Sequence, residues 1–170
     1  MPGPGGGPTV RSARPDDAAE IARLAELMYR ALGAPGTDES WERWRRSAQR
    51  AVRARLGADL TVVVAGDPSA PGRLVACGAG TITERLPNPW HVDARVGYIQ
   101  WMSTEPAFRR QGLGRAVLRG LLEWFTGRGV DTVELHASDD GARLYLAEGF
   151  WRGTGGEAMR RRPWDPPPGP

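Results

Sequence analysis

Arg109-Arg110-Gln111-Gly112-Leu113-Gly114-Arg115 is the stretch on which the reading of this chain turns. It stands between a β-like segment and a segment of strong helical period. Leu113, Val117, Leu121 and Phe125 follow at i, i+4, i+8 and i+12, which is one face of a helix. A helix start offers amide N–H groups without intrahelical partners and the positive end of the peptide dipole, so it suits a phosphate. Gly112 and Gly114 carry no Cβ, which lets phosphate oxygens approach the backbone and allows a positive φ. Arg109, Arg110 and Arg115 add charged donors. Two nucleotide motifs do not fit. The dinucleotide fingerprint needs a third glycine three residues after the second, but Ala116-Val117 follow Arg115. The lysine-containing phosphate loop is excluded because the chain has no lysine. The competing reading of the same residues is a glycine-rich helix cap beside surface arginines.

Working outward, the chain alternates between two periods. Thr9-Val10-Arg11-Ser12-Ala13 reads as a short strand. Asp17 and Glu20 have capping-box spacing, and Ile21, Leu24, Met28 and Leu32 recur at helical spacing, which predicts a helix over 17–32 stopped by Gly33. A second helix is predicted over 37–56, with Trp41, Trp44, Ala48, Val52 and Leu56 as its apolar face. Leu60 to Ala65 is β-branched and short, the stretch 66–72 is a turn, and 74–82 returns as the partner strand. Further strands are predicted over 96–102 and 130–137, a short helix over 140–148, and a final hairpin beyond Phe150. The order is β-α-α-β-β-β-α-β-α-β-β. Strands interrupted by helices at three places place the chain in the α/β or α+β class with a mixed sheet.

The 170 residues suffice for one domain with a sizeable core, and the 40% hydrophobic and 25% charged content is that of a globular protein. The expected organisation is a flexible Gly/Pro-rich extension at 1–8, without the apolar stretch or basic leader of a signal peptide, a single domain at 9–162, and a loose Pro-rich tail at 163–170. No apolar run reaches the roughly 20 residues that a bilayer span needs, so no membrane partner is expected. Cys77 is the only cysteine, which excludes an internal disulfide and a thiolate metal cluster. With only His91 and His136 as imidazoles, no metal is expected. A cytoplasmic location follows as the expectation. The net charge of +3 is spread over the helices with no nucleic-acid module, so no nucleic-acid partner is expected, although a basic nucleic-acid-binding domain stays an alternative.

The spacing Arg109-x-x-Gly112-x-Gly114 resembles the acetyl-CoA pyrophosphate loop of the GNAT acetyltransferases. Tyr98-Ile99-Gln100-Trp101-Met102-Ser103-Thr104-Glu105-Pro106 looks like the family's fourth strand and the turn after it. Leu135-His136-Ala137-Ser138 looks like its fifth strand. Leu144-Tyr145-Leu146-Ala147-Glu148-Gly149-Phe150 looks like its Tyr-x-x-x-Gly-Phe ending. The resemblance implies a mixed, mostly antiparallel sheet with a splayed parallel central pair and helices on both faces. It implies acetyl-CoA as co-substrate and direct transfer of its acetyl group to an amine in a ternary complex, the acceptor being a small molecule or a peptide. A bulge in the fourth strand would offer the backbone of Trp101, Met102 and Ser103 to the pantetheine arm. The pyrophosphate would rest on the loop formed by Arg109, Arg110, Gln111, Gly112, Leu113, Gly114 and Arg115. Tyr145 resembles the general acid that protonates the departing thiolate, a role open to a phenol that is protonated at neutral pH. Taken without the family, it is a core tyrosine packing a short helix.

One departure stands out. Many relatives place an asparagine after the fifth strand, where this chain has Ser138, Asp139 and Asp140; Ser138 or Asp139 is the expected substitute contact. On the acceptor side, Met28, Tyr29, Trp90, Gln100 and His136 are the expected lining. Trp41 and Trp44 are read as core. Glu84, His91, Asp93 and His136 remain equal candidates for the group that takes the ammonium proton. A non-catalytic acyl-CoA sensor of the same fold is the second function class. The oligomeric expectation is a monomer or a homodimer.

Overall fold

A computed structural model describes residues 9–89 and 92–153. The elements are β1 (Arg11–Ser12), α1 (Ala18–Ala31), α2 (Asp38–Arg55), β2 (Leu60–Gly66), β3 (Leu74–Glu84), β4 (Arg95–Thr104), α3 (Leu113–Gly127), β5 (Thr132–Leu135) and α4 (Asp139–Ala147), with 3-10 turns at Pro15–Asp17 and Pro106–Phe108. The order read from the sequence holds through α4. The hairpin expected beyond Phe150 and the two terminal segments lie outside the described residues, apart from Trp151 to Gly153. The chain divides into two compact units, Met1–His136 and Ala137–Pro170.

In the first unit the strands lie in the order β1-β2-β3-β4-β5, antiparallel except for the parallel pair β4/β5. The first six residues of β2 and the first eight of β3 are buried, as interior strands covered on both faces must be. One face carries Val62, Val64, Cys77 and Ala79 and packs with Ile21 and Leu24 of α1 and Val52 of α2. The other face is floored by glycine. A Cβ on Gly80 would lie 2.9 Å from the Phe125 ring, and one on Gly97 2.6 Å from it. The ring of Phe125, at the end of the predicted α3 stripe, therefore lies directly on the sheet backbone. Leu113, Val117 and Leu121 complete that buried stripe. Helices thus cover both faces of this sheet.

Two local expectations are corrected. Asp17 and Glu20 do not form a capping box: the Asp17 carboxylate accepts from the Arg14 amide at 2.7 Å and from Arg11, while Glu20 is taken by Arg23 and the Leu74 amide. Arginine partners close in sequence and one distant amide, that of Leu74, take the two carboxylates in place of the cap. Leu32 falls at the C-cap of α1 and is exposed, so the apolar face of that helix ends a turn early.

Candidate functional site

The ladder between β4 and β5 runs from Val96/Thr132 to Ile99/Leu135 and stops. β4 continues to Thr104, paired among the described residues only with β3. β5 ends at Leu135, so from Gln100 onward it supplies no partner for the β4 backbone. The β3/β4 register also slips here. Cys77 pairs with Ser103 and Ala79 with Gln100, so Trp101 and Met102 together stand opposite Gly78. This is the bulge expected at Trp101, Met102 and Ser103.

Trp101 makes the bulge, with φ of 58°. A bulky residue in the left-handed region costs about 1–3 kcal/mol and persists only where its surroundings over-determine it. They do so here. The Trp101 Nε1 donates to Tyr29 Oη at 3.2 Å, its ring stands edge-on to Trp44 at 6.0 Å, and its carbonyl accepts the Cys77 thiol at 3.4 Å. Tyr29 and Trp41 also meet Trp44 edge-on, each at 5.7 Å. The bulge breaks the alternation of the strand. Gln100 shares a face with Ala79, and Trp101 packs against the same α1/α2 cluster, while Met102 turns to Gly78 and Val117 on the α3 side. Cys77 is fully buried, and desolvation pushes its thiol up to about 12, so it is a packing residue rather than a nucleophile.

After β4 the chain turns through Glu105 into the glycine loop. Glu105 is buried and accepts from Arg23 at 2.7 Å and from Arg73 at 2.8 Å. Desolvation pushes its carboxyl up, but the hydrogen bonds from Arg73 and Arg23 together outweigh it and hold the carboxyl below the ordinary range. Arg23 also grips Glu20 and the Leu74 carbonyl, so α1 and the start of β3 fix the entry to the loop. Arg109 donates through Nε to the Thr104 carbonyl at 3.1 Å, and Gln111 to the Ala107 carbonyl at 3.3 Å. Both side chains brace the loop. Arg110 and Gly112 take positive φ, 63° and 82°. Gly112 is the N-cap of α3, and among the described residues no side chain caps it. Arg109, Arg110, Gln111, Gly112 and Arg115 are exposed, Gly114 is half-buried and Leu113 is buried in the core. The loop therefore presents an uncapped helix start in basic surroundings, the geometry an anionic group needs.

The acceptor candidates divide. Tyr29 and Gln100 come to the bulged strand. Met28 is half-buried in the last turn of α1, and Trp90 lies outside the described residues, as does His91. His136, just past β5, is joined by Tyr98, whose hydroxyl lies 2.6 Å from His136 Nδ1. Trp41 is buried as expected and Trp44 is half-buried; with Arg43 and Arg50 they line a surface cavity of about 530 Å³ on α2. Two groups escaped the sequence reading: Tyr98 and the Glu105 ion-pair cluster. The alternation in 96–102 does put Tyr98 on one face with Gln100, but its partner is 38 residues away.

In the second unit, Ser138 is the N-cap of α4, its hydroxyl oxygen accepting from the Gly141 amide at 3.2 Å. Asp139 is the first, exposed residue of the helix. Tyr145 is buried, meets Phe150 edge-on at 5.9 Å, and has its phenol pushed further up by desolvation. It stays protonated at neutral pH.

The family model for "Acetyltransferase (GNAT) family" matches residues 20–150. The chain is 32% identical over 148 residues to glucosamine 6-phosphate N-acetyltransferase 1 of Oryza sativa subsp. japonica, covering 86% of this chain and 84% of the rice protein. Among solved structures it resembles a predicted acetyltransferase with acetyl-CoA from Clostridium acetobutylicum, with a TM-score of 0.77, 21% identity, and coverage of 89% of this chain and 95% of that one. It also resembles a GCN5-related N-acetyltransferase from Ralstonia eutropha JMP134, with a TM-score of 0.74, 23% identity, and coverage of 89% and 97%. At these identities the two structures speak for the fold. Among the described residues no group of three His, Cys, Asp or Glu side chains is placed to hold a metal, and no helix is long and apolar enough to cross a membrane.

Proposed function

Because this chain belongs to the GNAT acetyltransferase family, we propose that it is an N-acetyltransferase that moves the acetyl group of acetyl-CoA directly onto an amine held in the same complex. The observation that carries this reading is the conjunction at β4: pairing to β5 ends at Ile99, the bulge follows at Trp101, and an uncapped α3 N-terminus closes the same loop. A strand edge that β5 leaves without a partner, followed by an anion-binding helix start, fits a ligand with an amide-bearing arm and a pyrophosphate. The residues present fit acetyl-CoA in that sense. The backbone of Trp101, Met102 and Ser103 would hold the arm. The amides from Arg110 to Arg115, with the arginines around them, would hold the phosphates. When bound, acetyl-CoA supplies an activated acyl carbon and a thiolate leaving group. Tyr145 is the chain's candidate acid for that thiolate, supported by its place in the Tyr-x-x-x-Gly-Phe ending and by a phenol kept protonated through burial. The Ser138 hydroxyl accepts as a cap and keeps its O–H to donate, so Ser138 or Asp139 would supply the cofactor contact there. On the acceptor side, Tyr29, Trp44 and Trp101 form an aromatic wall and Gln100 offers an amide on the same face.

The test couples binding to turnover. Acetyl-CoA should raise the melting temperature by mass action, and a panel of amines that includes glucosamine 6-phosphate should release free thiol with at least one member. Stabilisation without thiol release from any amine would leave a sensor of the same fold. No shift with acetyl-CoA or CoA at millimolar concentration would overturn the reading.

A further inference from the structure

An amine that reaches the enzyme as ammonium must lose a proton before its nitrogen can attack, and the acceptor face needs a route for it. The geometry points to Tyr98 and His136 as that route: Tyr98 as the group that meets the amine and His136 as the terminal proton acceptor behind it. The inference rests on the acetyltransferase reading above and assigns its missing base.

Tyr98 pairs with Thr81 of β3 and Glu134 of β5 at the last rungs before the β4/β5 ladder ends. Its side chain shares the face of Gln100, two residues nearer the bulge. That face is the one packed by α1 and α2. Its hydroxyl lies 2.6 Å from His136 Nδ1, and the rings meet edge-on at 5.9 Å. Tyr98 is half-buried and His136 is exposed, so the pair leads from the strand face to solvent. On β5 and α1 the described charged groups are paired. Glu134 on β5 is held in a two-point pair by Arg85 at 2.9 and 2.7 Å. On α1, Glu26 pairs with Arg30 and with Arg45 of α2, Arg23 pairs with Glu20 and Glu105, and Tyr29 accepts the Trp101 indole. Of the described bases considered from the sequence, Glu84 falls on the α3 face by register and Asp93 is exposed in the loop before β4.

The proton moves in one direction. Tyr98 Oη takes a proton from the ammonium nitrogen while its own proton passes to His136 Nδ1. This leaves a neutral amine, an intact phenol and an imidazolium, which returns its proton to water. The neutral imidazole starts with its hydrogen on Nε2 and its Nδ1 lone pair toward Tyr98. Imidazole is suited to this step because one ring nitrogen can accept a proton while the other keeps its own.

The experiment compares wild type, Tyr98→Phe and His136→Gln with two classes of amine. One class is ammonium at pH 7; the other, an amine of pKa below about 5, is already neutral there. With ammonium acceptors both variants should lose at least tenfold in kcat/KM at pH 7, within the usual range for base catalysis of about 10²–10⁴-fold. The loss should shrink as pH rises toward the pKa of the amine. With the neutral amines both variants should lose clearly less than with the ammonium acceptors, because the proton that blocks attack is already gone and only the proton shed after attack is left to remove. Calorimetric affinity for acetyl-CoA and the melting temperature should be unchanged. Equal losses on both amine classes would make the pair a structural element and overturn the proposal, and wild-type profiles in both variants would do the same. If wild type binds acetyl-CoA but acetylates no amine, the acetyltransferase reading falls first and this one with it.

Discussion

Gly78 sits opposite the bulge, and replacing it with alanine tests whether the bulge is the cofactor's anchor. A Cβ there would lie 2.4 Å from Met102 Sδ, 2.7 Å from Val117 Cγ1 and 3.0 Å from Leu121 Cδ1. Ordinary contact begins near 3.4 Å, so Met102 Sδ must retreat by about 1 Å, and with Val117 and Leu121 crowding the same Cβ the Met102 side chain has to re-seat beside the bulge that carries it. Overpacking of this kind costs about 1–3 kcal/mol. At about 2–4 °C per kcal/mol for a chain of this size, the melting temperature should fall by roughly 2–12 °C. Misaligning one backbone hydrogen bond to the ligand, about 0.5–1.5 kcal/mol, should weaken acetyl-CoA binding by roughly 2- to 13-fold. Differential scanning fluorimetry reads the first effect and titration calorimetry the second. Gly127→Ala is the control: it lies in α3 with nothing within 4 Å of its added Cβ, so stability should hold or rise and affinity should not change. A Gly78→Ala protein that melts lower but binds acetyl-CoA as wild type does would sever the bulge from the cofactor. One that melts as wild type does would refute the packing argument itself.

Three further expectations follow from particular residues. Gly112→Val puts a β-branched residue at a φ of 82°, straining the α3 cap by more than about 1–2 kcal/mol; acetyl-CoA affinity should drop while far-ultraviolet circular dichroism keeps the fold, and unchanged affinity would make the loop an ordinary cap. Tyr145→Phe keeps the ring and its contact with Phe150, so single-turnover rates should fall at least tenfold with cofactor affinity nearly constant, and a wild-type rate would reduce Tyr145 to packing. The Glu105 carboxyl is held below its ordinary range in the fold, so its contribution to stability is full above the unfolded pKa, near 4.3, and is lost as pH falls through the folded value. Thermal melts should therefore decline below about pH 4, and Glu105→Gln should flatten that decline while costing about 1–2 kcal/mol at pH 7, since both arginines reach solvent; a variant with the wild-type acid slope would show that other carboxylates carry it.

The sequence by itself determined the parts of this protein that depend on local period and local chemistry. The four-residue spacing from Leu113 to Phe125 marked α3 because a helix buries one stripe, and the short β-branched run of β2, followed by a turn, marked a strand and its returning partner. The glycine loop was legible because a helix start that receives an anion needs residues without Cβ and arginines close by in sequence. What the tertiary structure alone decided depends on register and on partners distant in the chain. Strict alternation would send Trp101 to the α3 side; the one-residue slip opposite Gly78 turns it to Tyr29 and Trp44 instead, and no local pattern encodes a slip. Glu20 has the spacing of a cap, yet it is claimed by Arg23 and Leu74, because a cap is worth about 1 kcal/mol and a multidentate tertiary cluster offers more. Tyr98 and His136 are read separately as a strand residue and a lone imidazole. They become a pair only because β4 and β5 run parallel and in register up to the rung where the ladder opens.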